Sequence, residues 1–167
     1  LTAPVKGIVG PWVHKYPHLA VPEPRIGFLQ EALRWWDHWL KGEDKGIQND
    51  PSYTAYLMDG VRPKTFYKER TGIWITENNW PSGLNWQKHY LSSHNRLSNR
   101  KEQISDQICS PQTCGMNGGE YCAIWLGPEL PGDQRPDDAL SLLYTSEKLD
   151  TSCDIVGAPK VTLRLIS

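Results

Sequence analysis

The sequence predicts two fold classes in succession, an α/β segment followed by an all-β one. Three observations carry this. A short apolar run, VKGIV at residues 5–9, is closed by Gly10-Pro11. One strongly amphipathic segment, PRIGFLQEALRWWDHWLKG, follows at residues 24–42. From Tyr53 onward there are only short runs of aromatic and β-branched residues broken by turn signals.

The first run reads as a strand buried on both faces in a parallel sheet, because it is mostly apolar and ends at Gly-Pro. A loop with His14, Pro17, Pro22 and Pro24 comes next. In the helical segment, a rotation of about 100° per residue places Ile26, Leu29, Leu33, Trp36 and Leu40 on one stripe. Phe28, Ala32, Trp35 and Trp39 fall on the adjoining one. Gln30, Glu31, Arg34, Asp37, His38 and Lys41 occupy the other half, which is expected to face solvent, with Asp37 and Lys41 at a favourable i,i+4 spacing. Pro24 suits the first helical turn and Gly42 the left-handed position past the end. The apolar half is wider than one contact needs, so it is expected to pack on two bodies.

A polar stretch, GEDKGIQNDPS, places a domain boundary at residues 43–51. Beyond it, YTAYLM, IWIT, NWQKHYL, YCAIWL, ALSLLYT and VTLRLI read as strands. They are separated by Asp59-Gly60, Pro81-Ser82-Gly83, Asn117-Gly118-Gly119 and Pro131-Gly132-Asp133. That spacing predicts an antiparallel β-sandwich over residues 52–167.

The 167 residues fit one medium domain or pieces of two, and 18 Lys and Arg against 19 Asp and Glu give no field that would draw nucleic acid or an anionic membrane. No apolar run approaches the roughly 20 residues of a membrane helix, and the first residues do not have the form of a signal peptide. Compartment stays open, with the cytoplasm slightly favoured, and so does oligomeric state. The chain opens on Leu1 beside a strand-like run and stops at VTLRLIS, which reads as a piece of something longer. Cys109, Cys114, Cys122 and Cys153 do not form a zinc spacing; free thiols and a local disulfide both stay open. No metal or other cofactor is expected.

His14 follows a predicted buried strand, and in open α/β sheets ligands and catalytic groups gather beyond the carboxyl ends of the strands. Imidazole titrates near neutral pH and suits a general base. The alternative is a loop histidine without a role. His14 and His18 at i,i+4 would need a helix to bind zinc as a pair, which Pro11 and Pro17 oppose. Trp35, Trp36 and Trp39 read as core or interdomain packing. Asp133, Asp137 and Asp138 in LPGDQRPDDAL could bind calcium, but not at EF-hand spacing.

Taken together, GPWVH (Gly10 to His14), LRWWDHWLKG (Leu33 to Gly42) with Gly46-Ile47, LPGDQRPDDALSLLYTSEKL (130–149) and IVGAPKVTLRL (155–165) resemble the CocE/NonD hydrolases. That family includes cocaine esterase, X-Pro dipeptidyl peptidases and α-amino acid ester hydrolases. The resemblance runs over most of the chain, with Trp80 to Gln107 contributing least. It implies that residues 1–42 are the C-terminal strand, loop and helix of an α/β-hydrolase catalytic domain, and that residues 52–167 begin a jelly-roll domain. It implies that His14 is the catalytic histidine of a Ser-His-Asp triad acting on a small ester or peptide substrate. The chain contains no G-x-S-x-G, so the serine, aspartate and oxyanion hole are expected upstream of Leu1, and the isolated chain is expected to be inactive and sticky. The rival reading is a non-catalytic β-sandwich binding module for carbohydrate or protein, with Trp74, Trp80 or Trp86 as a flat stacking surface. A third is a degraded gene product with no activity of its own.

Overall fold

The computed structural model describes residues 3–79, 85–118 and 130–166. Among these, strands outnumber helices, in the manner of a β-sandwich-like domain. Strand β1 (Gly7–Val9) is followed by helix α1 (Phe28–Lys41), a 3-10 turn at Ile47–Asn49, and strands β2 (Tyr53–Met58) and β3 (Gly72–Glu77). Then come β4 (Tyr90–Ser92), β5 (Arg96–Ser98) and a short helix α2 (Arg135–Asp138).

The first sheet has the order β1-β2-β3. β1 runs parallel to β2, with Gly7 opposite Tyr53 and Val9 opposite Ala55, so α1 lies in a β-α-β crossover. β3 is antiparallel to β2 and pairs Tyr56 with Trp74 and Leu57 with Ile73. Side chains alternate across a sheet, so Lys6, Ile8, Thr54, Tyr56 and Trp74 share the face towards α1. Gly72 opens β3 where a Cβ would run into the Leu57 carbonyl, so the β2–β3 approach requires glycine there. A separate hairpin pairs β4 with β5 through His94 and Asn95, both at positive φ.

YTAYLM and IWIT thus form the expected strands. NWQKHYL does so only at its end, where β4 begins. ALSLLYT contributes one bridge, Thr145 with Arg96. VTLRLI stays irregular, with Val161 and Leu165 exposed, because a strand exists only through its neighbours and no described segment pairs with it. YCAIWL lies outside the described residues.

Three expectations about the first 42 residues are corrected. β1 is not buried on both faces, since Val9 is 52 % exposed. The helix starts at Phe28 rather than at Pro24, because the Pro24 carbonyl accepts the Trp12 indole N–H at 2.7 Å and Glu23 is bonded to the 68–70 segment. Its end is as expected: Gly42 has φ 71° and its N–H donates to the His38 carbonyl.

The third correction inverts the helix. Part of its charged half, expected in solvent, is turned inward, while Gln30 and Lys41 stay exposed. Lys6 on the β1 side donates to Glu31 at 3.0 Å and to Asp50 at 2.6 Å, and Arg34 bonds both carboxylates. Asp37 is buried and paired with Lys41 at 2.6 Å. Leu29, Leu33, Trp36 and Leu40 point away and are 53–74 % exposed. The reason lies in Lys6 and Asp50: two charges facing the helix attract its ionic side. Pro11, Trp12, Ala20 and Pro22 are buried in the loop after β1 and Ile47 is buried beyond α1, so most of the small core sits at that loop.

Candidate functional site

The loop after β1 is fixed by its third residue, Trp12. Trp12 is buried, and a Cβ on Gly10 would collide with its indole, so Gly10 lets the ring fold back over the strand end. The Lys15 N–H donates to the Trp12 carbonyl at 3.2 Å, closing a turn that presents His14 exposed beyond the carboxyl end of β1. Val13, directly before it, has φ 24°. A β-branched residue is held in that region only when its surroundings dictate it.

Those surroundings form a closed circuit. Trp12 is hydrogen-bonded to the carbonyl of Pro24. Next to Pro24, the Glu23 N–H donates to Lys68 at 3.0 Å, and Arg70 donates back to Glu23 at 2.9 Å. The Arg70 carbonyl accepts the Tyr56 hydroxyl at 2.9 Å. The Tyr56 ring lies 5.0 Å from Trp74, and Trp74 lies 6.0 Å from Trp12, within the range of aromatic pairs.

Below the loop, Lys6, Glu31, Arg34 and Asp50 join strand, helix and the start of β2 around a cavity of about 270 Å³ that Trp74 also lines. Partial burial works against ionisation of Glu31, but hydrogen bonds from Lys6 and Arg34 outweigh it and hold its carboxyl below the ordinary range. Arg34 first, and then Lys6, hold Asp50 low against the same opposing burial. Both carboxylates are charged at neutral pH.

His14 is the single catalytic candidate, and the structure brings Trp12 and Trp74 to its loop. His18 stacks on Phe28 at 5.9 Å and 9°, a packing role. Trp36 and Trp39 lie on the exposed helix face, so within the described residues the tryptophan group is not core. Trp74 is engaged in the circuit, Trp86 is exposed and Trp80 lies outside the described residues.

In LPGDQRPDDAL, Arg135 pairs with Asp133 and holds its carboxyl down at about 2. Asp137 accepts from the Asn117 side chain and from the backbone N–H groups of Gly115 and Asn117 at 2.9–3.0 Å. Asp137 thus pins the 115–117 turn to α2, Asp133 is engaged locally, and no group of three metal-binding side chains gathers among the described residues. Cys109, Cys114 and Cys153 are free thiols, and Cys122 lies outside the described residues.

Sequence reasoning missed Lys6, Asp50 and Tyr56, and gave Trp74 a different role, in the stacking surface of a binding module. A lone lysine inside an apolar run was the signal for the ionic cluster; the aromatic circuit had none.

A β-rich chain whose first strand, loop and helix are built into the sheet of the strands that follow belongs to a definite class. The chain is a member of the X-Pro dipeptidyl-peptidase C-terminal non-catalytic domain family, which matches residues 45–167. Two proteins named "Putative serine esterase", from Mycobacterium bovis and Mycobacterium tuberculosis, are each 28 % identical to it over 179 residues. The match covers 96 % of this chain and 26 % of theirs, so the chain spans about a quarter of the length of these relatives. The 4 % left out is about 7 of 167 residues, fewer than the 13 before His14, so the match extends over the histidine loop. Family and relatives together support the CocE/NonD-type resemblance carried by the motifs and point to a hydrolase parent. No solved structure matches.

Proposed function

We propose that the chain is part of a serine hydrolase that cleaves ester or amide bonds, including X-Pro dipeptidyl bonds, and that His14 is the general base of its Ser-His-Asp triad. Residues 1–42 would then end an α/β-hydrolase catalytic domain, 43–51 would link, and 52–167 would form the opening part of a jelly roll. The observation that carries this is the presentation of His14, exposed on a locked loop at the carboxyl end of a parallel strand followed by a crossover helix. The outward apolar face of α1 supports it, since the body of such a domain would cover that face.

In the reaction, His14 takes the serine proton as the hydroxyl oxygen attacks the substrate carbonyl. It returns that proton to the leaving alcohol or amine as the scissile bond breaks. It then takes a proton from water, whose oxygen attacks the acyl-enzyme, and gives that proton to the serine oxygen as the acyl bond breaks and the acid product leaves. Serine and aspartate are supplied by the rest of the polypeptide; this chain supplies the base and its mounting.

The test is His14→Ala and His14→Gln in the full-length protein, assayed on chromogenic esters and X-Pro dipeptide anilides. The expected loss in kcat/KM is at least ~100-fold in variants that stay folded. Near-normal turnover by a folded variant would refute the assignment.

A further inference from the structure

We propose that Trp74 and Tyr56, in the domain whose family is described as non-catalytic, are positioning residues for catalysis: they hold the loop that carries His14. The proposal rests on the reading of His14 as general base.

The geometry is specific to the loop. His14 is two residues from Trp12, and Trp12 is held at both ends. Its indole N–H is bound to the Pro24 carbonyl, and its ring lies against Trp74. Trp74 in turn rests on Tyr56, its partner across the β2–β3 ladder. Tyr56 closes the circuit through its hydroxyl to Arg70, whose N–H donates to Glu23 beside Pro24. Among the described residues, both of these ties from Trp12 lead to the sheet through residues 56, 68–70 and 74. A loop with a β-branched residue at φ 24° does not keep that shape unaided.

A base works only within hydrogen-bond reach of the proton it moves, and a displacement of about 1 Å can lower a rate ~100-fold. Loosening Trp12 leaves the substrate pocket upstream untouched but lets the imidazole wander. The consequence is a fall in kcat with little change in KM. It should also affect acylation and deacylation alike, because the same imidazole serves both.

The experiment uses the full-length protein with Trp74→Ala, Trp74→Phe, Tyr56→Phe and His14→Ala. Steady-state kinetics on a p-nitrophenyl ester are paired with the rate of serine labelling by a fluorophosphonate, and with Tm. Trp74→Ala is expected to lower kcat and labelling 10- to 100-fold with KM within about threefold. Trp74→Phe, which keeps an aromatic face, should recover most of the loss. Tyr56→Phe, which removes one hydroxyl, should lower kcat several-fold. If His14→Ala remains active, the general-base reading itself fails. If His14→Ala is dead while Trp74→Ala is folded with kcat and labelling within twofold of wild type, the positioning role is overturned and the base stands. Should Trp74→Ala fail to fold, Tyr56→Phe decides, and an unchanged kcat there overturns the proposal.

Discussion

Truncating the outward face of α1 discriminates between a helix that is complete as it stands and one that has a missing neighbour. Leu33 is 60 % exposed and Leu40 is 74 % exposed. Fully burying a leucine contributes about 1.5–3 kcal/mol, so the fraction covered here is worth roughly 1 kcal/mol for Leu33 and ~0.6 kcal/mol for Leu40. Leu33→Ala and Leu40→Ala in this chain should therefore each shift unfolding by about 1 kcal/mol or less. In the full-length protein, with the face covered by an α/β domain, each should cost about 2–5 kcal/mol, the range for a leucine removed from a packed core. Urea titrations followed by circular dichroism at 222 nm, with hydrogen exchange on residues 28–41, measure both. Equal, small effects in the two settings would mean that nothing packs on this face, and the assignment of residues 1–42 to a catalytic domain would fall.

Two further predictions concern the mounting. Lys6→Met leaves Arg34 alone to hold Glu31 and Asp50 and should destabilise the chain by about 1 kcal/mol at pH 7, between the values for exposed and buried pairs, because Glu31 and Arg34 are partly screened by solvent. Both carboxyls are held below their ordinary values of 4.5 and 3.8, so the cluster's contribution is complete above about pH 5 and fades as pH falls through the lowered values. The gap between wild type and Lys6→Met should close on the same acid limb; a gap that is constant from pH 7 to pH 3 would contradict the ionic account. Gly72→Ala drives a Cβ into the Leu57 carbonyl and should cost about 1–3 kcal/mol or more, read as loss of β2–β3 amide protection, whereas unchanged protection would show that the strands can spread freely.

Much of this was legible in the residues. β2 and β3 follow from dense aromatic and β-branched runs, α1 from its 3.6 period, its end from Gly42, and the place of His14 from the strand and Gly-Pro before it. The orientation of α1 was not legible. A period reveals that an apolar stripe exists, not which body covers it, and here Lys6 and Asp50 turned the charged side inward. The aromatic circuit was hidden for another reason: Trp12 and Trp74 are 62 positions apart, and only the β-α-β crossover brings them together. VTLRLI has the alternation of a strand, but alternation cannot supply the neighbour that makes one.

The parallel ladder between β1 and β2 also bears on where this polypeptide can be divided. Residues 43–45 are exposed and polar and straddle the start of the family match, an inviting place for a protease or for the start of an expression clone. Yet Gly7–Val9, Trp12, Lys6 and Glu23 on one side are joined to Tyr53–Ala55, Trp74, Asp50 and the 68–70 segment on the other. A nick there severs the backbone without severing the sheet, so the two pieces should travel as one particle until denatured. A clone that begins at residue 45 instead leaves β2 paired with β3 alone and opens its other edge, which is a recipe for aggregation.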